Sequence, residues 1–263
     1  MPEKQLMETI VRGSETYFRL FALAEGMELH AGPVEWIAPK AGYKGPSVAY
    51  RVALPQAAGA VLGRLLPGLQ NGTVPPLWVV SPLSDPPDIA ELLLARGFRE
   101  VSGSEHPEYG MALETAALES DTAVNPYIAV RRVTTPEELQ TWMRIVNTAL
   151  HGWDLLTMEQ YAVWLHYGAF AFYLGLLDGK PVATAAVITE NSTATLEFVS
   201  TLQEHQNQGV GYAVCMQALR DLQRTQVRTV TLRSTVEGYK LYRKLGFQAC
   251  YAQRVFAYQG GEK

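Results

Sequence analysis

Residues 193–246 read TATLEFVSTLQEHQNQGVGYAVCMQALRDLQRTQVRTVTLRSTVEGYKLYRKLG, and they decide how the chain is understood. The stretch opens with a β-rich run, residues 195–202, in which Leu196 and Phe198 alternate with Glu197 and Val199. A polar turn occupies 203–208, and a helical pattern begins at Gly209. Apolar residues recur at Val210, Val214, Ala218 and Leu222, with Cys215 and Leu219 beside them, the spacing of one helix face. A strand that feeds a helix through Gln206-Asn207-Gln208-Gly209-Val210-Gly211 sets unpaired backbone N–H groups at a helix N-terminus. Those groups and the helix dipole attract phosphate. Gly209 and Gly211 let an anion reach the main chain with no Cβ in the way.

Gln206-x-x-Gly209-x-Gly211 resembles the (Arg/Gln)-x-x-Gly-x-(Gly/Ala) pyrophosphate loop of the GCN5-related N-acetyltransferases, the GNAT superfamily. The next elements follow in order: a strand at 227–234 and a short helix at 237–245. They end in Leu241-Tyr242-Arg243-Lys244-Leu245-Gly246-Phe247, which resembles the family's closing motif. Two motifs in order, with a helix and a strand between them, make the resemblance specific. It implies a mixed, mostly antiparallel α/β (α+β) sheet flanked by helices.

The 263 residues leave room for one large domain or two of ordinary size. At 48% hydrophobic and 18% charged, the chain has ample core material. A net charge of −4 argues against broad binding to nucleic acid or anionic membranes. Cys215 and Cys250 have no metal-ligand spacing and read as reduced core thiols. No signal peptide or membrane-length apolar run is evident, so a cytoplasmic protein is expected.

Earlier in the chain, residues 3–24 read as a helix, 27–38 and 47–54 as strands, and 55–69 as a helix beginning at Pro55. A short buried strand at 76–81 leads to a helix at 87–97 that stops at Gly97-Phe98. LWVVSPLSDPPDIAELLLARGF and VTLRSTVEGYKLYRKLGF thus share one order of elements, and each is followed by a further strand-like run. Such an internal repeat suggests two copies of one fold. In the first copy Ala57-Ala58-Gly59-Ala60-Val61-Leu62-Gly63 stands near the phosphate-loop position without its spacing, and Leu93 or Leu94 near that of Tyr242. Residues 1–120 therefore read as a degenerate GNAT-like domain and 121–263 as the catalytic one, joined by a polar linker at 119–125. In the second copy the expected order is a strand at 127–133 and a helix from Pro136 capped by Thr134 or Thr135. A helix at 157–166 and a hairpin around Asp178-Gly179 follow.

Acetyl transfer to an amine needs a held thioester, a neutral amine and a proton for the leaving thiolate. The resemblance implies acetyl-CoA as cosubstrate, gripped by Thr201, Leu202, Gln206, Asn207, Gln208, Gly209, Val210, Gly211, Tyr212 and Thr235, with no metal. Thr201-Leu202-Gln203 stands where the family usually has Val-x-Pro, at the point where its strand splays to bind the pantetheine arm. Tyr242 matches the general acid; its phenol, ordinarily near pKa 10, is protonated at neutral pH. The other reading of Tyr242 is an aromatic packed beside Leu241 and Phe247. Glu197 is the candidate base, expected on one face with Val199 and Thr201 and acting through water. It also reads as a carboxylate that only orients a cationic substrate, or as a salt-bridged structural group.

His205 reads as solvated. His151, Trp153 and Asp154 fall where the family often builds its acceptor pocket, although Trp153 and Trp164 also suit core or domain-interface packing. Arg243 and Lys244 are candidates for a CoA phosphate. The expected activity is direct acetylation of an amine of a small molecule or amino acid by a monomer or homodimer. The alternatives are acetylation of a protein N-terminus or lysine, and a non-catalytic acyl-CoA sensor.

Overall fold

A computed structural model describes residues 3–54, 57–102, 107–118 and 125–260. The expected linker, Asn125 apart, and the Pro55 helix start lie outside the described residues. The first half runs α1 (Glu3–Phe21), β1 (Met27–His30), β2 (Val34–Pro39), β3 (Val48–Val52), α2 (Ala58–Asn71), β4 (Leu77–Val80), α3 (Ile89–Leu94), β5 (Phe98–Glu100) and β6 (Glu108–Glu114). The single strand expected over 27–38 is a hairpin. Gly32-Pro33 interrupts it, because proline has no N–H to give to a ladder, and β1 turns back on β2.

The second half begins with β7 (Ile128–Arg132) and α4 (Pro136–Val146), whose first turn is capped by the Thr135 hydroxyl accepting from the Glu138 N–H. A π-helical turn, Asn147–His151, ends at Gly152, and then comes α5 (Met158–Tyr161). The longer helix expected over 157–166 continues only as a 3-10 turn, Ala162–His166. There follow β8 (Phe170–Leu177), β9 (Lys180–Glu190), β10 (Thr193–Thr201), α6 (Val210–Gln223), β11 (Thr229–Ser234), α7 (Val236–Lys244) and β12 (Gln248–Tyr258). Asp178 and Gly179 both have positive φ, at 48° and 77°, as the primed turn of the β8–β9 hairpin requires.

All twelve strands join one mixed, mostly antiparallel sheet in the order β1-β2-β3-β4-β12-β6-β11-β10-β9-β8-β7, with β5 pairing β12. Among the described strands, only β3–β4 and β10–β11 are parallel pairs. The ladder does not stop at residue 120. Strand β6, from the first half, lies between β11 and β12 of the second. In return β12 runs on into the first half, where residues 254–258 pair with β4 and β5.

Helix α1 lies across β10, β11 and β6 rather than over its own half alone. Gly13 permits this close approach, since a Cβ there would come 2.5 Å from Thr231 Oγ1. Phe18 and Phe21 share one buried cluster with Trp142, Trp164 and Phe198 of the second half. Trp164 is buried and its indole N–H donates to Leu20 O at 3.2 Å, so it packs the seam between the halves, whereas Trp153 is half exposed. On the opposite face α6 and α7 cover the sheet, with Cys215 in their core. Burial pushes the Cys215 thiol up to about 12, while Cys250 is only partly buried. No described helix is long and apolar enough to cross a membrane.

Candidate active site

The site is made by a defect in β10. Between Glu197 and Ser200 the β9–β10 register slips by one residue, Glu197 pairing with Ala186 and Ser200 with Thr184. The extra residue is Phe198, at φ 52°, an unusual conformation for a bulky side chain. The bulge sets Glu197 and Phe198 on the same face, toward α1 and α4, so that Val199 and Thr201 turn toward α6 and α7. The expectation that Glu197 shares a face with Val199 and Thr201 is thereby corrected: strict alternation ends at Phe198.

On its other edge β10 pairs with β11 only from Thr193 to Thr195. Beyond Thr195 the two parallel strands part, and the edge of β10 lines a cleft of about 830 Å³. The divergence begins earlier than the expected splay at Thr201 and Leu202. At one end of the cleft α6 starts at Gly209, whose φ of 86° suits glycine. The amides of Val210 and Gly211 lie in the first helical turn, ahead of any intrahelical acceptor. A Cβ on Gly211 would come 3.1 Å from Thr201 Oγ1, so the glycine keeps the cradle open. The free strand edge and this cradle fit an extended arm that ends in a pyrophosphate.

Thr201, Gln206, Asn207, Gly209, Val210, Gly211, Tyr212 and Thr235 all line the cleft. Leu202 and Gln208 are not part of that lining; the Leu202 N–H donates to Val182 O at 2.9 Å. The Gln206 N–H is used within the turn, on Gln203 O, and its side-chain amide ties the loop to Thr201 O at 3.2 Å. Thr235 caps α7 by accepting from the Gly238 N–H. Lys244 also faces the cleft, its ammonium 4.7 Å from the Tyr212 ring centroid. Arg243 instead donates to Phe247 O at 3.4 Å.

Tyr242 is a buried residue in the wall of the cleft, edge-on to Phe247. Burial holds its phenol well above its ordinary pKa, so it remains a proton donor at any physiological pH. Gly238 is required here, because a Cβ would come 2.9 Å from the Tyr242 ring. Glu197 is 9% exposed and accepts from the Thr195 hydroxyl at 3.3 Å. Burial raises its carboxyl above the usual range, opposed by the Arg233 guanidinium 3.7 Å away.

Three groups join the site from outside the phosphate-loop and closing motifs. Arg233 comes from β11 and packs over the rings of Tyr17 and Phe18, 4.8 and 4.7 Å from their centroids. Tyr17 comes from α1 and lines the cleft beside Glu197. Tyr17 falls in the helix expected over 3–24 and Arg233 in the strand expected over 227–234, and no motif marks either as a site residue. His151, at the end of the π-helical turn, also lines the cleft; its Nε2 is buried without a partner, and burial lowers its pKa.

The first half holds a comparable parting of parallel strands, but it is closed. β3 pairs with β4 only at Val48 and Ala49. Beyond them the Asp85 N–H donates to Val52 O at 3.0 Å, and Asp85 O accepts from the Leu54 N–H at 2.7 Å.

Residues 137–247 match the model of the acetyltransferase (GNAT) family. No match to a curated protein is found. The whole chain is similar in fold to a GCN5-related N-acetyltransferase from Kribbella flavida, at 18% identity and a TM-score of 0.66 over 96% of each chain. It is also similar to a GCN5-related N-acetyltransferase from Sphaerobacter thermophilus, at 16% identity and 0.61 over 95% of this chain and 90% of that one. A tandem GNAT protein from the clavulanic acid biosynthesis pathway aligns at 14% identity and 0.60, over 97% and 96%.

Proposed function

We propose, from the match of residues 137–247 to the acetyltransferase (GNAT) family model, that the protein moves an acetyl group from acetyl-CoA to an amine of a small molecule or amino acid. The observation that carries this reading is the open edge of β10, which runs from the α6 N-terminus to Glu197 and Tyr242. On this reading residues 1–120 are a GNAT-like half without a cosubstrate site and 121–263 hold the phosphate loop.

Acetyl-CoA supplies the activated acyl carbon. The amides of Val210 and Gly211, with Lys244 nearby, hold its pyrophosphate, and the β10 edge aligns its arm as an added strand would be aligned. Glu197 drains a proton from the acceptor ammonium to solvent, leaving a neutral nitrogen. The nitrogen forms the new bond to the acyl carbon as the bond to sulfur breaks. Tyr242 gives its proton to the leaving sulfur and regains one from the acylated nitrogen through solvent, so charge and atoms balance. The test is thiol release from acetyl-CoA against a panel of amines, amino acids and peptides, with wild type and Tyr242→Phe. Turnover on one class of acceptor, lost in the variant, supports the reading; binding of CoA without turnover on any acceptor refutes it.

A further inference from the structure

Arg233 is the cation at the acceptor end of the cleft, and its hydrogen-bonding capacity is under-used. Two of the chain's other paired arginines close on their carboxylates, Arg19 on Glu35 at 2.8 Å and Arg254 on Glu100 through two bonds at 3.0 and 2.8 Å, while the arginines that stand off at 3.6–3.7 Å, Arg131 and Arg224, are exposed to water. Arg233 stops 3.7 Å from Glu197, beyond hydrogen-bond length, and its Nε is buried with no partner. A buried donor without an acceptor costs stability and is uncommon in folded chains. Meanwhile the rings of Tyr17 and Phe18 hold the guanidinium in place, a contact that engages the face of the group and none of its N–H donors.

We propose that the acceptor is an amino-carboxylate, its carboxylate held by Arg233 and its nitrogen beside Glu197. This rests on the acetyl-transfer reading and names the substrate class of that same site. The open donors of Arg233 separate it from the nearest rival. Glu197 and Arg233 face each other at 3.7 Å, and Glu108 is a further acid acting on both. A zwitterion brings one charge of each sign and places each against its opposite. A polyamine brings only positive charge and leaves the Arg233 donor without an acceptor. The orphaned Nε2 of His151, kept neutral by its burial, supplies an acceptor for an N–H of the same ligand. Arg233 is thus a specificity residue, and α1 of the first half shapes it through Tyr17 and Phe18.

The experiment compares amino acids with the amines left when their carboxylate is removed, using acetyl-CoA and wild type, Arg233→Met and Arg233→Lys. Wild type is expected to favour the amino acid in kcat/KM. Arg233→Met should erase that preference by about 10–10²-fold, mostly through KM, and Arg233→Lys should restore part of it. Equal or better rates of wild type on the decarboxylated amines would overturn the proposal, as would equal losses on both acceptors in Arg233→Met, which leave the preference intact. If no acceptor turns over, acetyl transfer itself has failed, and calorimetry of amino acids against the CoA-saturated protein decides the site alone. Heat in wild type that is absent in Arg233→Met supports the carboxylate site; no heat in wild type sinks it.

Discussion

The Thr184 hydroxyl donates to Phe198 O at 2.8 Å and stands 2.6 Å from the Ser200 hydroxyl. One side chain of β9 therefore fastens both ends of the bulge that aims Glu197. Thr184→Val keeps the shape and strands the buried Phe198 carbonyl. The variant should lose about 1–3 kcal/mol of stability and bind CoA more weakly. A urea midpoint unchanged from wild type would show that β10 holds its bulge unaided.

Tyr242→Phe keeps the ring against Phe247 and removes the proton. We expect kcat to fall about 10–10³-fold with little change in CoA affinity, as suits a general acid. Full-rate turnover by this variant would leave Tyr242 as a packing residue.

The raised pKa of Glu197 sets the direction of the pH response. Only the ionised carboxylate accepts a proton, so the acidic limb of kcat/KM should lie above the ordinary carboxylate value of 4.5 and activity should climb with pH through it. The groups acting on that carboxylate are Arg233 and Thr195, which lower its pKa, and Glu108, which raises it further. Glu197→Gln should lower kcat/KM and abolish that limb. An identical limb in the variant would assign it to another group.

Asp85 occupies the edge of β3 beyond its pairing with β4, the edge that the reading of the first half as a GNAT-like copy would give to a pantetheine arm. Calorimetric titration should accordingly find one CoA per chain, and Gly211→Val should remove it, since its side chain crowds Thr201. Two binding events would mean that the Asp85 segment yields.

Much of this was readable in order along the chain. Thr135 as a helix cap, Asp178-Gly179 as a turn and Gly209-x-Gly211 ahead of a helix are local signals, each set by a few neighbouring residues. The bulge at Phe198 was not readable, because nothing in Leu196-Glu197-Phe198-Val199 departs from alternation; the slip is imposed by Thr184 across the sheet. Nor were Arg233 and Tyr17 as neighbours of Glu197. Their meeting depends on α1 crossing from one half to the other over Gly13, a contact between residues far apart in sequence.

The exchange of β6 and β12 bears on how the chain comes off the ribosome. Strands β4 and β5 leave the exit tunnel early, yet the strand that unites them, β12, is synthesised after every other strand. Strand β6 likewise waits for β11. Until then the first half presents open edges that invite association with other chains. Severing the chain between residues 120 and 125 should therefore give two insoluble fragments when each is made alone, and a soluble complex when they are made together.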